Sequence, residues 1–195
     1  MGLFGSKEKG RSIFIKDIAA IISGGDTAVL NSIDNMLSHP KKYFKRNADR
    51  YDDRGIDAEE IQDILEEGDE EEKTELFWLG MVDELIEGGY VAEVDYKCSK
   101  EDYMYNLQQL KSYPYISDVF KDFMLDSSDT LASWCGQISD ASKGKALIGY
   151  IDIDSDSYPL FILPSLNGSD GSDCSELFSR ICLLAQNNGF TITEP

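Results

Sequence analysis

Histidine is nearly missing from this chain: His39 is the only imidazole among 195 residues. Lys and Arg are scarce too, 18 against 37 Asp and Glu, for a formal charge of −19. Such a balance leaves little for His-based nucleophilic catalysis, and a surface this anionic repels a phosphate backbone, which argues against nucleic-acid binding by the bulk surface. Four cysteines, Cys98, Cys135, Cys174 and Cys182, stand at irregular spacings with no C-x-x-C pair, a pattern that predicts reduced core thiols of a cytoplasmic protein, not a disulfide frame. No apolar run approaches the roughly 18 residues of a bilayer span, and the first residues lack the apolar stretch and cleavage site of a secretory signal. The expectation is a soluble cytoplasmic protein that does not bind membranes. Gly2 with Ser6 and the basic residues Lys7, Lys9 and Arg11 fits the N-myristoylation pattern, with a frayed polar start as the plainer reading.

What is present is ordinary for a globular chain, with 42% hydrophobic and 28% charged residues, but the charge is unevenly laid down. Residues 1–50 carry nine basic and five acidic side chains, 51–75 carry two and thirteen, and 76–195 carry seven and nineteen. Ile13, Phe14, Ile18, Ile21 and Ile22 form a helical stripe stopped at Gly24-Gly25, and Asp26 can cap a second helix bearing Val29, Leu30, Ile33, Met36 and Leu37. Pro40 should end this helical pair. Lys41, Lys42, Lys45, Arg46 and Arg50 then interleave with Tyr43 and Phe44. An acidic block begins two residues later, so internal pairing is expected to absorb these cations before nucleic acid or lipid does.

From Asp57 onward the helix starts are legible. Asp57 with Glu60, and Asp69 with Glu72, have capping-box spacing ahead of apolar runs. The carboxylates Glu70, Glu71 and Glu72 then suit the positive end of a helix dipole. Residues 90–96 alternate like a strand. Helices follow, opened by Ser99 and Asp102, lined by Ile116, Val119, Phe120, Phe123 and Met124, and lined by Leu131, Trp134, Cys135 and Ile138. Residues 146–153 and 158–163 read as strands joined by a hairpin through Asp154-Ser155-Asp156-Ser157, a last helix follows Asp173, and 190–193 is a short terminal strand. The fold class is therefore α+β, a small antiparallel sheet of about four strands packed with several helices, plus the N-terminal helical pair. The expected organisation is an N-terminal helical appendage over 1–56 and an α+β core domain over 57–195, with the acidic stretch 52–75 as the place for a joint.

Three candidate sites emerge. Asp152, Asp154 and Asp156 stand at alternate positions where a strand runs into its turn, so they can hold Mg²⁺, Mn²⁺ or Ca²⁺ or simply make a polar turn. A calcium loop is ruled out, because Ser157 replaces its glycine and Leu163 its bidentate glutamate. Asp170 and Asp173 lie in a Gly-Ser loop that could approach the first group, the plainer reading being a helix cap. Tyr105, Tyr113 and Tyr115 offer an exposed aromatic surface among acids, of the kind that binds a basic protein, or else ordinary packing. Other templates fail. The segment 136–145 precedes its strand and is no phosphate loop, the Ser-x-x-Lys match at Ser38 is broken by Pro40, and His39 reads as a helix-end residue rather than a base for Cys135.

The segments Trp78-Leu79-Gly80-Met81-Val82-Asp83-Glu84-Leu85, Gly89-Tyr90-Val91, Asp95-Tyr96-Lys97 and Asp152-Ile153-Asp154-Ser155-Asp156-Ser157-Tyr158 resemble a family of bacterial domains known only as a domain of unknown function. The resemblance covers residues 76–195. It implies a bacterial cytoplasmic setting and no catalytic residues. By analogy of type, small acidic α+β proteins look like the immunity proteins that neutralise basic toxins. The leading expectation is an acidic cytoplasmic protein-binding module with a basic protein partner and no cofactor, and the alternative is a metal-dependent enzyme, a hydrolase, built on Asp152, Asp154 and Asp156.

Overall fold

The computed structural model of the protein describes residues 5–52, 54–121, 124–165 and 172–194. Gly2, Phe123 and Asp170 fall outside the described residues, as does the side chain of Asp173. The chain divides into two compact units, Met1–Leu85 and Ile86–Pro195. This division falls further along the chain than the expected 56/57 boundary, and the stretch 52–75 holds helices.

Unit one is helical. Helix α1 (Gly5–Ile22) and helix α2 (Thr27–Ser38) form the expected hairpin. The Asp26 carboxylate caps α2 by accepting from the Ala28 N–H at 2.8 Å, and Lys16 pairs with Asp34 across the two helices at 2.6 Å. The buried face of α1 is Phe14, Ile15, Ile18, Ala19 and Ile22, whereas Ile13 is 57% exposed. Pro40 does more than end the hairpin: it is the first residue of α3 (Pro40–Arg46), where its fixed φ suits the helix start and its missing N–H costs nothing. With the short turn α4 (Asp49–Asp52), the expected pair becomes four helices. Tyr43 and Phe44, from the basic-aromatic stretch, point inward, and Phe44 packs against Tyr43, Tyr51 and Phe77 with ring centroids 5.1, 5.3 and 6.1 Å away. Helices α5 (Ala58–Glu66) and α6 (Glu70–Glu87) follow, and α5 packs on α3.

Unit two is built on a four-stranded antiparallel sheet of order β1-β3-β2-β4, with β1 (Val91–Asp95), β2 (Ala146–Ile151), β3 (Ser157–Pro164) and β4 (Ile192–Thr193). Alternation along the strands splits the side chains between two faces. Ala92, Val94, Ile148, Leu160 and Ile162 face one core with Tyr103 and Leu107 of α7 (Lys100–Gln109) and Trp134, Cys135 and Ile138 of α8 (Leu131–Ala141). Phe161, on the other face, stacks with Phe178 of α9 (Ser172–Gln186) at 6.2 Å. The helix expected over 116–124 is instead a pair of 3₁₀ turns, Tyr113–Tyr115 and Ser117–Lys121. The Ile116 and Val119 amides close on carbonyls three residues back, the hydrogen-bond pattern of 3₁₀ turns. Met124, which the helical stripe would bury, is 86% exposed. Among the described residues no helix is long and apolar enough to cross a membrane.

Candidate functional site

A concavity lies in unit one, between α5 and α6. Helix α5 starts where Asp57 accepts from the Glu59 and Glu60 N–H groups at 2.8 and 2.9 Å. Helix α6 starts with a full capping box: Asp69 accepts from Glu71 and Glu72 at 2.8 and 3.1 Å, and the Glu72 carboxylate takes the Asp69 N–H at 2.7 Å. The link between them is tight at Gly68, whose amide bonds back to Asp63 and Ile64, and a Cβ there would lie 2.5 Å from the Ile64 carbonyl oxygen and 2.9 Å from Glu72 Oε2.

The two helices wall a groove of about 730 Å³. Its floor is aliphatic, made by Ile56, Ile64, Leu76 and Leu79, and its walls carry Asp57, Glu59, Glu60, Asp63 and Glu67 on the α5 side with Glu72 and Glu75 on the α6 side. No Lys or Arg lines it. Between residues 55 and 96 the sequence holds a single cation, Lys73. None of the seven wall carboxylates makes an ion pair among the described residues. Asp57 and Glu72 are occupied with helix caps, while Glu59, Asp63 and Glu67 repeat at i, i+4 along α5, a spacing at which like charges repel. From sequence these acids read as a helix start at Asp57 and Glu60 and as part of a joint over 52–75, and the groove was not foreseen. The signal was present in the four-residue ladder of carboxylates and the dearth of cations around it.

Three basic residues of this unit are committed elsewhere. Lys41 pairs with Glu66 at 2.9 Å and holds that carboxyl below its usual range. Arg50 and the Tyr43 hydroxyl both donate to Glu84 Oε1, the former at 3.0 Å, and Arg54 donates to Asp83 at 2.9 Å. Burial first, then the bond to Glu84, pushes the Tyr43 phenol far above its ordinary range. The Tyr51 phenol is raised by burial and by the Asp83 carboxylate acting through space, since the geometry gives its hydroxyl no hydrogen-bond partner.

The residues singled out from sequence lie in unit two. Asp152, Asp154 and Asp156 are all exposed on the β2–β3 connection. Asp152 accepts from the Asp154 N–H at 3.0 Å, Asp154 adopts φ +53°, which aspartate tolerates, and the Asp156 carbonyl accepts from the Tyr96 N–H at 3.3 Å. Among the described residues, no three His, Cys, Asp or Glu side chains, these aspartates included, are grouped so as to hold a metal ion. Tyr105 and Tyr115 are 64% and 53% exposed, whereas Tyr113 is half-buried and stacks on Phe120 at 6.2 Å. Tyr103, two residues before Tyr105, is fully buried, with its hydroxyl 3.1 Å from Cys135 Sγ. All four cysteines are free, and burial pushes the Cys135 thiol up to about 12.

Neither a curated protein nor a solved structure matches the chain. A family described as a domain of unknown function, DUF6630, matches residues 15–195. The match takes in the N-terminal helices that the resemblance read from sequence left out. With nearly all of its length matched, helices and sheet together, the chain belongs to the family of domains of unknown function DUF6630.

Proposed function

We propose that the protein is an acidic cytoplasmic protein-binding module whose partner is a positively charged protein. The observation that carries this reading is the α5/α6 groove: seven carboxylates without internal counter-ions stand around an aliphatic floor. Capping accounts for Asp57 and Glu72, and the dipole of α5 favours Glu59 and Glu60 in its first turn, but stability gives no reason for Asp63 and Glu67 beside them, because like charges at i, i+4 destabilise a helix by about 0.2–0.5 kcal/mol per pair. A cationic partner removes the repulsion and adds apolar contact. The −19 formal charge extends the same bias over the molecule and accelerates encounter with a basic surface. Covering that surface would also keep it from nucleic acid, which gives the module the neutralising role of an immunity-type protein.

The test is affinity capture from the cell of origin at low and moderate salt, followed by kinetics with the purified partner. A basic protein whose association slows as salt rises, and slows again when Glu59, Asp63 and Glu67 are changed to their amides, is the expected result. A partner of neutral or acidic character, or kinetics indifferent to salt and to these three positions, would refute the proposal.

A further inference from the structure

We infer that the segment of the partner seated in the α5/α6 groove is a short cationic amphipathic helix. This inference rests on the reading of the protein as an acidic binding module and specifies what that module grips. A polybasic chain without order would satisfy the carboxylates and leave the aliphatic floor uncovered. The floor is aliphatic: Ile56, Ile64 and Leu79 are only half-buried and Leu76 is buried beneath. Acids flank it on both sides, Glu59, Asp63 and Glu67 from α5 and Glu72 and Glu75 from α6.

The complementary surface is thus one apolar stripe bordered on both edges by cations. An α-helix presents that pattern with apolar residues at i, i+3/i+4 and i+7 and Lys or Arg beside them. A β-strand sends alternate residues to opposite faces and so directs one apolar row inward without a cationic border on each side of it. Helix α5 has nine residues, so at 1.5 Å per residue its wall is about 13 Å long and accommodates two to three turns of a helix lying along it. The second-copy alternative is weaker by charge, since each copy carries −19 and two copies repel.

The experiment measures binding of three labelled peptides to the full chain by fluorescence anisotropy and circular dichroism. One is a Lys/Leu amphipathic helix of about 15 residues, near the length at which an isolated helix begins to hold. The second has the same composition scrambled to destroy the stripe, and the third is oligolysine. The amphipathic peptide is expected to bind at least tenfold more tightly than the other two and to gain helicity on binding. Its affinity should drop about tenfold in the wall variant Glu59→Gln/Asp63→Asn/Glu67→Gln. That variant relieves repulsion on exposed positions, so loss of folding is not at issue, and Leu79→Asn, checked for folding by its melt, should weaken the amphipathic peptide alone. Equal binding of the scrambled peptide or oligolysine overturns the helix inference and leaves the acidic module standing. Loss of binding in Asp154→Asn/Asp156→Asn but not in the wall variant, or dimerisation in place of peptide binding, overturns the site. Failure of every cationic peptide to bind overturns the site and the module together.

Discussion

At the scale of single residues, the buried thiol–phenol pair sets the response to alkali. Cys135 sits against Tyr103 inside unit two, and burial raises its thiol from an ordinary 9.0 to about 12. The native state therefore keeps its proton at pH values where the unfolded chain loses it. Stability from this group is full below pH about 9 and drains away as pH climbs towards 12, by on the order of a few kcal/mol in all. Melting temperature should thus hold from neutral pH to about 9 and fall beyond it, and Cys135→Ser, which cannot titrate there, should fall less steeply. The buried tyrosines Tyr43, Tyr51 and Tyr103 act in the same direction, so the decline is reduced in the variant and not abolished. Native-state alkylation offers an independent check, with Cys135 and Cys174 resisting iodoacetamide while the half-buried Cys98 and Cys182 react. Packing gives a second residue-scale expectation. A Cβ on Gly149 would meet Phe178 Cε2 at 2.5 Å and Phe161 Cζ at 2.6 Å. Gly149→Ala should destabilise by about 1–3 kcal/mol in urea unfolding, since two stacked rings must part to admit it.

Secondary-structure elements were legible to the extent that their ends carry local chemistry. Asp26, Asp57, Asp69, Ser99 and Thr130 each bond to amides of the first turn they precede, and all but Thr130 stood out from spacing alone. The stretch after Tyr113 did not follow its stripe, because i+3 closure produced turns where hydrophobic periodicity predicted a helix. Two predictions belong at this level. Asp69→Ala removes the carboxylate that caps α6 and should cost about 1 kcal/mol in chemical unfolding. Asp63→Lys turns two i, i+4 repulsions, with Glu59 and Glu67, into attractions and should raise stability by about 0.5–1 kcal/mol. The same substitution should weaken a basic partner. A variant that gains stability while losing binding is the signature expected of residues kept for a ligand rather than for the fold. If Asp63→Lys lowers the melting temperature instead, the carboxylate has a structural use that the geometry does not reveal.

For the whole molecule, the governing quantity is the imbalance of charge. With −19 spread over 195 residues, self-repulsion opposes the compact state, and screening relieves it. Added salt should therefore raise the melting temperature modestly while slowing association with a cationic partner, two opposite responses to one variable. A melting temperature that drops with salt would show that the ion pairs Lys16–Asp34, Lys41–Glu66, Arg50–Glu84 and Arg54–Asp83 outweigh the repulsion. Two of these four, Lys41–Glu66 and Arg50–Glu84, tie the basic segment to acids further along the chain, a partial form of the compensation that the alternation of positive and negative stretches had suggested.

Local chemistry within the sequence was enough to determine the α+β class, the capped starts of α2, α5, α6 and α7, and the hairpin, because caps, turns and periodicity act over a few neighbouring residues. It also decided the sign and scale of the charge. Concavity was decided only by tertiary structure. Whether Glu59, Asp63 and Glu67 dissolve into solvent or wall a groove depends on where Ile64, Leu76 and Leu79 come to rest, and that is fixed by the packing of α5 on α3 and by the tight link at Gly68. In unit two, local chemistry settles the β2–β3 connection: the Asp152 carboxylate takes the Asp154 N–H on an exposed turn, and among the described residues these aspartates are not grouped so as to hold a metal ion.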